Sequence, residues 1–274
     1  MKLYLSCDIE GTSGITHWDE TDDKRGGRWY DYFREAMSHE VAAAVRGARE
    51  GDDRITDVLV KDAHDSARNI IPTLLPAGIR IHRGWSREPL CMAAGLDETF
   101  DAAAFIGYHG PAYANGNPLA HTMVTQTDEV ILNGKRCSEF TLNAYAAAML
   151  DVPVVFVSGD AQICQIAKDL IPAITVVPVS EGIGSATISM HPADAQEAIR
   201  EGMRKAVRAR ALPASATDCI LKLPEHFKMT VRYKEHTAAQ QNSFYPGARR
   251  LDEKTIEFET DAYYEILRFV MFVL

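Results

Sequence analysis

Asp8 and Glu10 stand two residues apart where a run of strand-forming residues, Lys2 to Asp8, comes to its end. Alternate residues on a strand share a face, so both carboxylates can point the same way. Two further apolar runs end on metal-type side chains, in Lys61-Asp62-Ala63-His64 and in Gly107-Tyr108-His109-Gly110. Carboxylates and imidazoles gathered in one place suit a divalent transition metal, zinc first. A strand can end on two negative charges where a cation neutralises them. Taken singly, each residue has an ordinary account. Asp8 and Glu10 fit loop acids, and His64 fits a turn with Asp62 capping a following helix. The glycines around His109 serve a tight strand–helix turn as well as a site. The coincidence of three strand ends carries the expectation of a metal site at Asp8, Glu10, His64 and His109.

Those side chains meet only if their strands are neighbours. Ile55 to Lys61, Ile79 to His82, Val154 to Val157 and Ile174 to Val179 read as further strands. Ala102 to Tyr108 is apolar almost throughout, as in a strand covered on both faces. Tyr30, Phe33, Met37, Val41 and Ala44 recur at helical spacing. Further helices are expected from Ser138 to Leu150 and from Gly159-Asp160 onward, and Asn133-Gly134 reads as a two-residue hairpin turn. Strands alternating with helices predict an α/β fold, a mostly parallel open sheet with flanking helices. Such sheets bind ligands outside the carboxyl ends of their strands, which is where the candidate residues lie. After about Ile188 the pattern changes to a long helix (Pro192 to Arg210), strands near Phe227 to Tyr233 and Thr255 to Glu259, and a last helix (Ala262 to Leu274). The expected division is a catalytic α/β domain at 1–188 and a smaller α+β domain at 189–274, serving as a lid or oligomer contact.

Composition narrows the class. The 274 residues, 46% hydrophobic, are enough for a full core. The formal charge of −9 argues against a nucleic-acid partner or an anionic membrane. Arg204 to Arg210, the densest basic stretch, has the spacing of a solvated helix face. Five scattered cysteines without a CxxC pair suggest neither a disulfide framework nor a cysteine zinc site. No secretory signal is visible, and the longest apolar run, Phe269 to Leu274, is too short to span a bilayer; a cytoplasmic protein is expected. Gly182-Ile183-Gly184-Ser185 lacks the third glycine of a nucleotide fingerprint and reads as a loop. Cys7 reads as a small apolar filler. Trp85 and the Tyr263-Tyr264 pair read as core or subunit contacts. On pattern alone, Glu139 is an acid placed favourably in the first turn of a helix, and His121 a partly buried histidine bonded to backbone.

The motifs SCDIEG, KDAH, GYHG, AHTM and SEFTLNAY, in this order, resemble those of the dinuclear-zinc D-aminopeptidase family, once labelled dipeptide-transport proteins. The likeness covers roughly Met1 to Ile171 and is weaker after about Ile188. It implies two zinc ions per chain held by Asp8, Glu10, His64, His109 and Glu139, with Asp8 bridging both. It implies His121 as the catalytic histidine, described in the family as a nucleophile; acid–base or oxyanion duty is chemically easier beside a zinc-bound water. It also implies cleavage of short peptides bearing an N-terminal D-residue, and assembly of copies into a self-enclosing ring, with a decamer as the candidate size. The chain departs from the family pattern in Cys7 and in a longer loop containing Gly116-Asn117-Pro118, expected to reshape the substrate pocket. Two other functions suit the same residues. One is a dinuclear phosphoesterase, with Lys61 and Arg68 as phosphate-binding cations. The other is a non-catalytic peptide-binding partner of a transporter.

Overall fold

The computed structural model of the chain describes residues 1–24, 27, 29–210 and 218–274. Its first sheet is built from β1 (Lys2–Cys7), β2 (Asp57–Asp62), β3 (Arg80–His82), β4 (Ala102–Tyr108), β7 (Val154–Asp160), β8 (Thr175–Ile183) and β9 (Ala186–Ser189). A second sheet takes β5 (Thr127–Leu132), β6 (Lys135–Arg136), β10 (Phe227–Tyr233), β11 (Arg249–Arg250) and β12 (Thr255–Thr260). The helices are α1 (Tyr30–Gly51), α2 (Glu139–Met149), α3 (Ala161–Leu170), α4 (Pro192–Arg210), α5 (His236–Asn242) and α6 (Tyr263–Val273).

The first sheet has the order β3-β2-β1-β4-β7-β8-β9 and is parallel except for its last pair, β8 and β9. The chain moves outward one way from β1 to β3 and the other way from β4 to β8. The reversal lies between β1 and β4, the topological switch point at which open α/β sheets bind ligands. Right-handed crossovers then put α1 on one face and α2 and α3 on the other. Every residue of β4 and of β7 is buried, which fits the apolar runs Ala102 to Tyr108 and Val154 to Val157. The second sheet is antiparallel, in the order β11-β12-β10-β5-β6. It alternates as a one-sided sheet should: along β10, Phe227, Met229, Val231 and Tyr233 are buried while Lys228 and Arg232 are exposed.

The mostly parallel α/β sheet is as expected, and the Asn133-Gly134 turn joins β5 to β6 with both residues at positive φ. The second sheet draws strands from both sides of residue 188, and α4 packs lengthwise on α1. Gly182 and Ile183, expected in a loop, extend β8 instead, and only Gly184-Ser185 forms the turn into β9. Among the described residues no helix is long and apolar enough to cross a membrane, and all five cysteines are free.

One buried acid in this frame affects stability directly. Glu40 of α1 accepts the Ser13 N–H through Oε1 at 2.9 Å, while its Oε2 is buried without a hydrogen bond. Burial pushes its pKa from 4.5 up to about 8. The folded state therefore holds a proton that the unfolded state has released between these two values, and stability falls as pH rises through that window. Glu40→Gln mimics the protonated acid. It should raise stability by up to about 3 kcal/mol at pH 7–8 and leave it unchanged near pH 4, as read by thermal unfolding across pH. A variant curve parallel to that of the parent would show that Glu40 is ionised in the fold.

Candidate metal centre

The end of β1 is stitched to β4 beyond the last strand residue. Asp8 N–H donates to Ile106 O and Gly11 N–H to Gly107 O, each at 2.9 Å. Such close passage requires glycine. A Cβ on Gly11 would lie 1.9 Å from Tyr108 O, and one on Gly107, at φ +71°, would lie 2.3 Å from Asp8 O. Asp8 and Glu10 are thereby held beside His109. On the other flank, Ala63 N–H donates to Cys7 O at 2.8 Å and delivers His64. Asp62 does not cap a helix. It accepts Asn69 Nδ2 and the Ile70 N–H, folding the 65–70 loop back under His64. Glu139 opens α2, with Ser138 capping the helix by accepting the Thr141 N–H.

The structure brings all six candidate residues together. His64 Nδ1 lies 3.2 Å from Asp8 Oδ1 and 3.0 Å from Glu10 Oε2. His109 Nε2 lies 3.5 Å from Asp8 Oδ2 and 3.2 Å from Glu139 Oε2. His121 Nε2 lies 3.5 Å from Glu139 Oε1. The two oxygens of Asp8 thus face two different imidazoles. Two groupings with metal-ligand spacing share Asp8: Asp8, Glu10 and His64, and Asp8, His109 and Glu139. A third joins Glu10, His109 and His121.

Each imidazole is oriented by its other nitrogen. His64 Nε2 donates to Thr21 O at 3.0 Å, His109 Nδ1 to Gly110 O at 2.9 Å, and His121 Nδ1 to Leu119 O at 3.0 Å. A neutral ring that donates at one nitrogen presents a lone pair at the other, the arrangement typical of metal-binding histidines. Asp8 Oδ2, Glu10 Oε2 and His109 Nε2 are buried without a hydrogen bond, a costly state unless a cation meets them. Oxygen and nitrogen donors in this ratio fit zinc.

Electrostatics point the same way. Burial pushes Asp8 well above the ordinary carboxylate range, and neighbouring Glu10 adds to the rise. Burial also opposes ionisation of Glu10 and Glu139, yet His64 holds the first well below its usual value and His109 holds the second at about 2. The carboxylates in turn raise His64 and His109 well above the ordinary imidazole value, against their burial. Positive charge is demanded at this spot, and divalent cations would supply it. His121 differs. Burial holds its pKa down, and the neighbouring His109 adds to the lowering.

The cluster opens into a cavity of about 630 Å3. Its walls include Trp18, Trp85 and Arg87, and from α6 Val270 and Met271, with Leu274 beyond. Trp85, expected as a core or subunit contact, packs against the core and also forms a cavity wall. Its Nε1–H donates to Asp65 O, and the Lys61 ammonium sits 4.3 Å from its ring centre. Lys61 is spent there and on Gly84 O at 2.7 Å, so among the described residues the cation lining the cavity is Arg87 and not Lys61 or Arg68. Trp18, Arg87 and the α6 wall escape sequence reasoning, since each comes from a distant segment. The exposed apolar end of α6 was the one available signal. The Gly116-Asn117-Pro118 loop does reach the site: Asn117 Nδ2 donates to Glu10 O and to Asp160 Oδ2, each at 3.1 Å.

Comparison with known proteins adds an independent line. The sequence profile of a family described as D-aminopeptidase matches residues 1–272. A curated relative from Bacillus subtilis (strain 168), named D-aminopeptidase, is 30% identical over 261 residues, which are 94% of this chain and 91% of the relative. A solved structure described as the Zn-dependent D-aminopeptidase DppA from Bacillus subtilis, a self-compartmentalizing protease, aligns with a TM-score of 0.90 at 28% identity. That alignment covers 100% of this chain and 96% of the other.

Proposed function

This chain belongs to the D-aminopeptidase family, and from that premise we propose that it removes the N-terminal D-residue from short peptides at a pair of zinc ions. The observation that carries the pair is Asp8, whose two oxygens serve two ligand groupings. Glu10 and His64 complete one position, His109 and Glu139 the other. Zinc bound there would polarise the scissile carbonyl and bring the pKa of an attacking water toward ~7. The residues do the rest. Asp8 fixes the spacing of the two positions. Glu10, with the acids Asp22, Asp65 and Glu88 on the cavity wall, attracts the free ammonium of the substrate. Neutral His121 takes a proton from the water through Nε2 and returns it to the departing amine.

The stretch after residue 188 we read as cavity wall and contact between copies. Phe244 and Phe272 are 78% and 66% exposed, apolar surface that a second copy would cover. The self-compartmentalizing description of the solved relative supports a closed ring, with ten copies as its candidate size. Five free cysteines suit a reducing cytoplasm.

Metal content and turnover, measured together, test this reading. About two zinc ions per chain and chelator-sensitive hydrolysis of D-Ala-D-Ala, faster than that of L-Ala-L-Ala, are expected. Preferred turnover of a phosphomonoester would replace the peptidase with a phosphoesterase. Peptide binding without turnover by zinc-loaded protein would leave a binding protein.

A further inference from the structure

A second cavity, of about 350 Å3, adjoins the first, and Trp18, His121 and Thr125 line both. It has room for about a dozen waters, enough for a small leaving group. Its charged side chains are Asp128 and Lys234. Asp128 is already engaged: Arg232 Nε donates to its Oδ2 at 3.1 Å. Lys234 makes no ion pair among the described residues, while its backbone is fixed. Its N–H donates to Gln126 O at 3.0 Å, and its carbonyl accepts Lys254 Nζ at 2.6 Å. The pairing of β10 with β5 shifts register between Arg232 and Tyr233. Irregularities of this kind re-aim side chains next to active sites, and Lys234 follows this one directly.

Charge therefore differs across His121. The large cavity carries the ligand carboxylates with Asp22, Glu88 and Asp65, the last paired with Lys24, against Arg87. The small cavity offers the Lys234 ammonium, and its one carboxylate, Asp128, is paired with Arg232. A short peptide is a zwitterion with the matching polarity. With its ammonium among the acids and its scissile carbonyl at the Asp8 cluster, the residue that departs lies past His121, and its α-carboxylate falls toward Lys234. We propose that the small cavity is the leaving-residue subsite and that Lys234 recognises the free α-carboxylate of a short peptide substrate. The proposal rests on the aminopeptidase reading and adds a length rule to it. Substrates are favoured when their C-terminus ends within this cavity, because a charge-assisted bond to a carboxylate is stronger than one to an amide.

The test compares D-Ala-D-Ala with its C-terminal amide on the zinc-loaded full chain. The parent protein should show a KM about tenfold lower for the acid than for the amide. In Lys234→Met that ratio should fall to near one, and Lys234→Arg should keep most of it. Equal KM values for acid and amide in the parent would overturn the subsite, as would a ratio that survives in Lys234→Met. Hydrolysis of neither peptide by the parent would overturn the aminopeptidase reading and the subsite with it. The two failures are therefore distinguishable.

Discussion

Replacing Asp8 by alanine should remove both zinc ions together. The carboxylate belongs to both ligand groupings, with Oδ1 toward His64 and Oδ2 toward His109. Without it each position falls from three protein ligands to two, below what catalytic zinc sites ordinarily keep. Bound metal should drop from about two per chain to well under one, and D-Ala-D-Ala hydrolysis should fall by at least ~10⁴-fold, toward background. His64→Ala is the control, since it damages one position and should leave about one ion bound. Stability provides a readout independent of turnover. Zinc should raise the melting temperature of the parent protein, because a ligand of the native state stabilises it by mass action. The Asp8→Ala melting temperature should be insensitive to zinc. Removing this buried carboxylate also relieves its repulsion with Glu10 and Glu139, so the variant should fold in the absence of metal. An Asp8→Ala protein that keeps two zinc ions would show that the bridge lies elsewhere.

Strand ends were legible because burial on both faces writes itself as an unbroken apolar run. Ala102 to Tyr108 could be placed inside a parallel sheet from composition, and His109 followed at its carboxyl end. Lys2 to Asp8 reads as a strand from its strand-forming residues, although Lys2 and Ser6 break the apolar run. Glu139 and His121 were not legible in this way. Their role depends on a fold-back between them, in which Met123 N–H donates to Glu139 Oε1 at 2.7 Å. The intervening hairpin of β5 and β6 belongs to the other sheet, so no periodicity along the chain reports the approach. The resemblance of AHTM and SEFTLNAY to the family motifs supplied what spacing did not. The cavity walls lay further out of reach. Trp18 meets His121 edge-on at 5.3 Å across more than a hundred residues of sequence, and α6 lines a cavity whose candidate ligands all precede residue 140. The register shift between β10 and β5 ahead of Lys234 leaves no trace in hydrophobic pattern, since it changes direction without changing composition.

His121 sets the second large effect, and its geometry favours proton transfer among the roles that residue type alone leaves open. Its ring stacks on His109, centres 4.5 Å apart and planes 11° apart. Its Nδ1–H is committed to Leu119 O, which leaves the Nε2 lone pair facing the cluster. Burial keeps its pKa below the ordinary imidazole value, so the ring is neutral at pH 7 and able to accept a proton. Two ligand groupings are complete without it, and the third, with Glu10 and His109, reuses residues already engaged. His121→Ala should therefore lower kcat by about 10³-fold, within the range expected for a lost general base, and keep about two zinc ions. Activity of the parent should fall as acid protonates His121, at a pH below the ordinary imidazole range, and the residual activity of the variant should lack that acid limb. Added imidazole should restore part of the variant's rate, because a diffusible base can replace a proton acceptor more readily than a fixed ligand. Loss of zinc from His121→Ala would make the residue a ligand. A burst of released amine in the parent's first turnover would make it the nucleophile. Retained metal, lost rate, imidazole rescue and no burst together leave proton transfer as its role.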